Sequence, residues 1–304
     1  MLAFIDHASS SSTILKSHLA SGSRTIKPVF CRNNILTNTQ HKILDMYSQQ
    51  LFMGTSGLVL PFKNRNAYPP EFEGRSRLQV YGALFNSVEI NSIFYKLPRS
   101  STINQWSQSV PDNFRFTFKL WKQITHNKAL AFHQADIGAF FDVIAGAADR
   151  GGCILIQFPA SVKVALFKKL ESLLSGIQQA NTSGWPIAVE FRSSEWYKEP
   201  VYELLNAYGA AMVYHDKAGS TSPHPQLEAA HIYLRFHGPG GDYKGSYDQG
   251  LLYEYAGYIA EWLSDGKSVY VYFNNTIGAA LDNLKTLERF LQKDYLTGSH
   301  PSVS

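Results

Sequence analysis

From residue 52 onward, short β-rich runs alternate with helical stretches and no linker interrupts them. The runs at 52–56, 87–91, 114–120, 153–159, 187–192, 210–216, 231–237 and 268–274 are rich in Val, Ile, Phe and Tyr. Most are apolar on both faces, which is how strands of a parallel sheet covered by helices read. Segments 140–148 (with its flanks), 162–179, 200–208, 249–263 and 278–291 show apolar spacing near 3.6. In the last, Leu281, Leu284, Leu287, Phe290 and Leu291 form one stripe. Gly209 and Gly266 follow their helices where a terminating glycine belongs. Helices are also expected over 75–84 and 100–109, whereas the sixth connection, 217–230, reads as loop.

Strands in this number, with helices in nearly every gap, predict the α/β class and a TIM-type (β/α)8 barrel, which typically takes ~250 residues. A doubly wound open sheet is the alternative. It usually has fewer strands, and the Gly-rich dinucleotide turn expected after its first strand is missing. A single barrel domain is therefore expected over 51–297, followed by a short tail at 298–304.

Composition narrows the classes. With 304 residues, 44% hydrophobic and only 2 Cys, the chain is neither disordered nor a disulfide scaffold. No apolar run approaches 18 residues, and the best candidate, 138–148, carries Asp142, so no membrane span is expected. The net charge of +4 hints at nucleic acid. Residues 1–50 hold five basic and two acidic side chains, however, and the remaining residues hold 23 against 22. The part expected to fold is nearly neutral, which disfavours a phosphate-backbone partner.

The first fifty residues contain eight Ser and show no apolar periodicity. Their longest apolar run, Leu2-Ala3-Phe4-Ile5, is too short for a secretory signal. Ser-rich, acid-poor composition is transit-peptide-like, but two Arg are few for one. The expectation is a disordered leader, or sequence ahead of a start at Met53, on a cytoplasmic protein. Cys31 falls in this leader and Cys153 in a buried strand, so no thiol chemistry is indicated.

In a barrel of this type, chemistry collects at the C-terminal ends of the strands. Here nearly every strand turns polar at that end: Glu89 and Asn91, Lys119, Gln157, Glu190 and Arg192, Asp216, Arg235 and His237, Asn274 and Asn275. Period two places Glu89 with Asn91, Glu190 with Arg192, Arg235 with His237 and Tyr214 with Asp216 on the barrel-mouth face. Three carboxylates then meet three cations. Such a ring serves either an active site or a satisfied structural layer. The Gly-rich stretch His237-Gly238-Pro239-Gly240-Gly241-Asp242-Tyr243-Lys244-Gly245 and the turn Asn274-Asn275-Thr276-Ile277-Gly278-Ala279-Ala280 suggest an anion cradle of backbone N–H groups, or a mobile lid or a plain Gly turn. His126 reads as an acid–base group or a loop histidine. Tyr95 and Trp196 read as a stacking wall or as rim packing. No cofactor is expected. A divalent metal, if held, would take Glu89, Glu190, His215, Asp216 and His237, although no HxH or HExxH spacing supports it.

These strand-end motifs resemble the YecE-like family, domain-of-unknown-function-72. The matching stretches are Gly54-Thr55-Ser56-Gly57, Val88-Glu89-Ile90-Asn91-Ser92-Ile93-Phe94-Tyr95, Phe118-Lys119 with Ile124-Thr125-His126, and Gln157-Phe158-Pro159. Val189-Glu190-Phe191-Arg192 with Trp196, Tyr233-Leu234-Arg235-Phe236-His237-Gly238 and Val271-Tyr272-Phe273-Asn274-Asn275 continue the series. The resemblance implies a TIM-type barrel and brings no reaction with it. The chain departs from the family at Leu58-Val59-Leu60, where Trp usually follows the opening motif, at Ser193, where His is frequent, and at Ala160, where a second Pro is usual.

The leading expectation is an enzyme acting on a small polar or anionic, sugar-like ligand. Lys119, Arg192 and Arg235 would hold charge. Glu89 or Glu190, with His126 or His237, would do general acid–base work, a buried carboxyl being raised toward neutrality. Asn91, Tyr95, Gln157, Trp196, Asp216, Gly238, Tyr243, Asn274 and Asn275 would complete the ligand site. The same two glutamates could serve glycoside cleavage. The alternatives are a metal-dependent phosphodiesterase similar to endonuclease IV, and a non-catalytic barrel that binds a ligand or protein. The sequence leaves the oligomeric state open.

Overall fold

The computed structural model describes residues 49–296 except Gln226. The Ser-rich leader up to residue 48, Cys31 within it and the tail at 298–304 lie outside the described residues. The strands are β1 (Leu51–Thr55), β2 (Ser87–Ile90), β3 (Arg115–Lys119), β4 (Gly151–Phe158), β5 (Ile187–Phe191), β6 (Ala211–His215), β7 (His231–Phe236) and β8 (Ser268–Phe273). They form one parallel eight-stranded sheet in the order β1-β8-β7-β6-β5-β4-β3-β2. An isolated parallel bridge from Ser56 to Glu89 joins its two ends, so the sheet curls into a nearly closed barrel. The fold takes up Leu51 and Phe52, ahead of Met53, as β1 residues paired with β8.

The helices are α1 (Arg77–Leu84), α2 (Ser92–Tyr95), α3 (Ser100–Gln108), α4 (Lys122–Thr125), α5 (Gln134–Ile144), α6 (Phe167–Ala180), α7 (Glu199–Ala207), α8 (Gln249–Ser264) and α9 (Ala280–Phe290). Ser76 and Gln79 form a capping box at the start of α1, each side chain serving the other's backbone N–H. Asp248 caps α8 by accepting from Gly250 N at 2.7 Å. Gly209 and Gly266 adopt left-handed φ of 59° and 79° after α7 and α8, as expected. The four-residue helices α2 and α4 are too short to leave a period in the sequence.

Outward-facing strand residues pack with the helices in one large core, while Phe52, Cys153, Leu155, Ala188, Val213, Tyr233, Tyr270 and Tyr272 fill the barrel interior. The interior tyrosines find partners for their hydroxyls, as buried phenols must. Tyr272 Oη lies 2.6 Å from Ser87 Oγ and 2.7 Å from Thr117 Oγ1. Tyr270 donates to Gly152 O at 3.2 Å.

The joint between β1 and β2 is closed by side chains where a backbone ladder is lacking. Asn86 accepts from Met53 N at 2.9 Å and donates to Leu51 O at 2.7 Å, standing in for a neighbouring strand. Higher up, Tyr81 of α1 enters between the strands. Its hydroxyl accepts from Thr55 N at 2.7 Å and lies 3.2 Å from Ser87 O. Gly54 makes room: a Cβ there would stand 1.9 Å from Ser87 O and 2.8 Å from the Tyr81 hydroxyl.

One expected phase needs correction. Tyr214 does not share the barrel mouth with Asp216. It faces outward, stacking on His224 and packing near Trp262, and donates to Pro225 O at 2.7 Å. The interior side of β6 carries Val213, and alternation puts His215 on that side. Asp216 lies beyond the last strand residue, where period two no longer applies.

Because the Tyr81 hydroxyl occupies a ladder position, Tyr81→Phe leaves the buried Thr55 N–H without its partner. The substitution should lower the unfolding free energy by about 1–3 kcal/mol in urea denaturation. An unchanged midpoint and slope would show that the phenol does not hold the joint.

Candidate functional site

Arg235, on β7, reaches across the top of the barrel and binds two glutamates from distant strands. Its Nε donates to Glu89 Oε2 at 2.8 Å and its Nη2 to Glu89 Oε1 at 2.6 Å, a bidentate pair. Nη1 donates to Glu190 Oε2 at 2.6 Å. Both carboxylates are fully buried and the arginine is 3% exposed. Tyr233 adds a hydrogen bond to Glu89 Oε2 at 2.7 Å, and Ser56 one to Oε1 at 2.6 Å. Arg192 Nε pairs with Glu190 Oε1.

This arrangement reverses the expected titration of the two glutamates. Burial alone would raise their pKa values. Arg235 outweighs it, with help from Ser56 and Tyr233 at Glu89 and from Arg192 at Glu190. Glu89 is held below the ordinary carboxylate range and Glu190 well below it. Neither is a carboxylic acid poised to give up a proton near neutral pH.

His237 is fully buried beside them. Its Nε2 lies 2.9 Å from Arg192 Nη2, which can only donate, so Nε2 accepts and the ring proton sits on Nδ1. Nδ1 lies 3.4 Å from Asp216 Oδ1. Burial keeps the imidazole below its usual pKa despite the pull of Asp216. Asp216 Oδ1 accepts from His237 N at 2.7 Å, and the Tyr247 hydroxyl donates to Oδ2. His215 Nε2 lies 3.1 Å from Phe191 O and 3.2 Å from Tyr197 Oη. Burial pushes its pKa down to about 4.

In the loops after β7 and β8, where the sequence suggests a backbone cradle, several N–H groups are taken up within the loops themselves. Gly238 N donates to Tyr247 Oη at 2.5 Å, Gly241 N to Gly238 O and Tyr243 N to His237 O, both at 2.6 Å. Ile277 N donates to Tyr243 O at 3.1 Å and Ala279 N to Gly245 O at 3.0 Å. Gly238 adopts φ 98°, and a Cβ there would stand 2.2 Å from Lys244 O, so this glycine serves the loop's own packing. Asn275 braces the same loops, donating to Gly245 O at 3.1 Å and Asn283 Oδ1 at 2.9 Å.

Above the charge network lies a cleft of about 260 Å³ lined by Ser56, Asn91, Phe94, Tyr95, Lys119, Gln157, Arg192, Arg235, Tyr243 and Asn274. Eight of these were expected from the sequence; Ser56 and Phe94 were not. Ser56 could have been found by carrying period two along β1 from Phe52 through Gly54. Phe94 lies on the unforeseen α2. Three cations line this cleft and no carboxylate does, because Glu89 and Glu190 are turned behind Arg235. Asn91 donates to Ser56 Oγ at 2.7 Å. Tyr95 stands at the rim, 64% exposed. Tyr243 holds a left-handed φ of 70°, an uncommon conformation for a bulky residue and one that concentrates at functional sites.

Lys119 Nζ donates to Gln157 Oε1 at 2.7 Å and lies 4.1 Å from the centre of the Phe94 ring. Burial, with Arg235 and Arg192 nearby, pushes its pKa down to about 8, although Glu190 and Glu89 pull the other way.

The remaining expected residues lie outside the cleft wall. His126 packs edge-on against Phe94, with ring centroids 4.9 Å apart, and Nδ1 lies 2.8 Å from Thr125 Oγ1. Burial and the Lys119 charge push it down to about 4. Trp196 is fully buried, stacked on Phe191 at 4.9 Å and donating to Val162 O at 2.8 Å, so it packs the rim and offers no wall to a ligand. Among the described residues, no group of three or more His, Cys, Asp or Glu side chains is placed to hold a metal ion. The five residues considered for that role do not converge, since the guanidinium of Arg235 occupies the space between Glu89 and Glu190.

The network sets the stability of the fold against acid. Glutamates depressed in the folded state and histidines held neutral both bind protons first in the unfolded chain, so stability falls as pH falls. His215 and His231, each at about 4, act as pH drops from 6.5 toward 4, and the glutamates act below 4.5. Chemical denaturation across this range should show both losses. Arg235→Met should cost about 3–5 kcal/mol at pH 7, because two buried carboxylates lose their partner. A variant as stable as the parent would contradict this reading.

Comparison with known proteins agrees with the barrel and with the family resemblance. Residues 52–303 match the family described as "Protein of unknown function DUF72". The UPF0759 protein YunF of Bacillus subtilis is 24% identical over 267 residues, covering 75% of this chain and 91% of that protein. The UPF0759 protein YecE of Escherichia coli K12 is 33% identical over 88 residues, which is 29% of this chain and 32% of YecE. A DUF72 family protein from Enterococcus faecalis V583 superposes with a TM-score of 0.65 at 20% identity, covering 81% of this chain and 96% of that one. Another from Thermotoga maritima MSB8 gives 0.60 at 25% identity, covering 80% and 100%. No described helix is long and apolar enough to cross a membrane. With most of its length matched by that family, and its described fold shared with solved members, the chain belongs to the DUF72 family.

Proposed function

We propose that this protein is an enzyme acting on a small anionic metabolite, a phosphate or carboxylate on a polar, sugar-like body, held at the C-terminal mouth of the barrel. The observation that carries this reading is the charge of the cleft wall. Lys119, Arg192 and Arg235 line it, and no carboxylate does. Two of the three cations are already partnered: Arg235 by both glutamates, Arg192 by Glu190 and His237. Lys119 has only the neutral Gln157 as hydrogen-bond acceptor, so the negative charge it lacks is left for a ligand to supply.

The rest of the wall suits a hydroxylated body. Ser56, Asn91, Gln157 and Asn274 offer hydrogen-bonding groups, and Tyr95 and Tyr243 offer aromatic surface at the rim. The proton-transfer role expected of Glu89 or Glu190 passes to Lys119. A general base works best with a pKa near the working pH, and Lys119, at about 8, is the group facing the cleft that meets this condition. The glutamates act as positioning residues, keeping Arg235 oriented and their own charge away from the ligand.

Thermal unfolding with inorganic phosphate, sulfate and pyruvate tests the anion site. At one hundred times its dissociation constant, a bound anion adds about 2.7 kcal/mol to stability. The midpoint should rise with at least one of the three, and the rise should vanish in Lys119→Met. No response from any anion would overturn the reading.

A further inference from the structure

We propose that the Lys119 amine is a nucleophile that forms an imine with the carbonyl carbon of an anionic carbonyl compound bound in the cleft, either an oxo acid or a phosphorylated aldehyde or ketone. This rests on the anion-site reading above and names the substrate class for it.

The geometry separates Lys119 from an ordinary structural lysine. It stands at the C-terminal end of β3, in register with Leu155 of β4, and its side chain lines the cleft. A lysine kept for structure in a polar barrel would pair with a carboxylate, and two are at hand. Arg235 takes both instead, and no ion pair to Lys119 exists among the described residues. What holds Nζ is one neutral acceptor, Gln157 Oε1, and the face of Phe94. An amide oxygen orients the amine without neutralising it. Desolvation and neighbouring cations are the two means by which proteins turn a lysine into a nucleophile, and both are present.

Several elements bring charge to this amine. Glu89 comes from β2, Glu190 and Arg192 from β5 and its end, Arg235 from β7, and His126 from the turn after α4. Gln157 of β4 is neutral, and His126, at about 4, is uncharged at neutral pH. Lys119 titrates at about 8 in this setting. At neutral pH a much larger share of it is free amine than of an ordinary lysine.

In the reaction, the Nζ lone pair bonds to the carbonyl carbon and the C=O π pair moves onto oxygen. That oxygen takes up the proton Nζ sheds, giving a carbinolamine. A further proton from solvent lets the oxygen leave as water while nitrogen forms the C=N bond, so amine, carbonyl and one proton yield a protonated imine and water. Hydrolysis reverses the sequence and restores Lys119. The cationic imine withdraws electrons from the adjacent carbon, which favours loss of a proton or cleavage of a carbon–carbon bond there. The ligand's own anionic group supplies the counter-charge that the cleft wall lacks. Arg192 also lines the cleft but is already bound to Glu190 and His237, so the cationic imine nitrogen, like the ammonium before it, is the charge that the ligand's anionic group answers.

The test treats the full-length protein with pyruvate or dihydroxyacetone phosphate and sodium cyanoborohydride at pH 7.5, followed by peptide mapping. Labelling of Lys119 at least about tenfold faster than of exposed lysines is expected with one of the two probes. The rate should rise through pH 8, and inorganic phosphate should slow it. Preference for pyruvate would identify the oxo-acid class, and preference for the other probe the phosphorylated class. Lys119→Arg should lose the fast label while keeping the charge, and if that variant fails to fold, the mapped site in the unmodified protein still decides. Labelling spread evenly over surface lysines, in protein that phosphate or pyruvate stabilises against heat, would overturn the imine and leave the anion site standing. The same spread without stabilisation would overturn both.

Discussion

A guanidinium has two hydrogen-bonding edges, and Arg235 uses them on two glutamates that would otherwise be uncompensated buried charges. Desolvating a carboxylate costs several kcal/mol, and only a close, well-oriented cation makes burial of two of them tolerable. The rest of the barrel mouth depends on this interaction. It draws β2, β5 and β7 together across the top of the barrel. It keeps Glu89 and Glu190 ionised. It also removes them from the cleft wall, which leaves that wall cationic.

The same interaction explains the isolation of Lys119. Five formally charged groups act on one another beneath the cleft: Glu89, Glu190, Arg192, Arg235 and Lys119. The first four pair among themselves, and Lys119 alone is left to a neutral amide. Around this centre, neighbouring groups are tied down as well. His237 accepts from Arg192, Asp216 anchors His237 and Tyr247, and the Gly-rich loops spend several of their N–H groups on one another. Bonds of this kind hold the groups around the cleft in fixed orientations.

Much of the fold was legible because barrel strands and helices are local patterns. Runs such as that at 187–192 and the stripe from Leu281 to Leu291 need only nearest neighbours to be recognised, and β5 and α9 lie within a residue or two of them. The residues gathered at the strand ends were legible for the same reason. Their roles were not. That Arg235 would fall between Glu89 and Glu190 depends on contacts 146 and 45 residues apart in the chain, so the direction of the glutamate pKa shifts was misjudged. Alternation carried on to Asp216 misplaces Tyr214, because Asp216 lies outside β6. The glycines after β7 signalled a special backbone, and what the loop shows is packing of Gly238 against Tyr247 and Lys244.

The account rests on a cationic cleft created by the pairing of both glutamates with Arg235. A crystal structure of the protein grown in inorganic phosphate tests it most directly. The account predicts a phosphate within hydrogen-bond distance of Lys119 and Arg192, with Glu89 and Glu190 still bound to Arg235. A cleft left without phosphate while the ion binds elsewhere, or a cation seated between the two glutamates with Arg235 displaced, would contradict it.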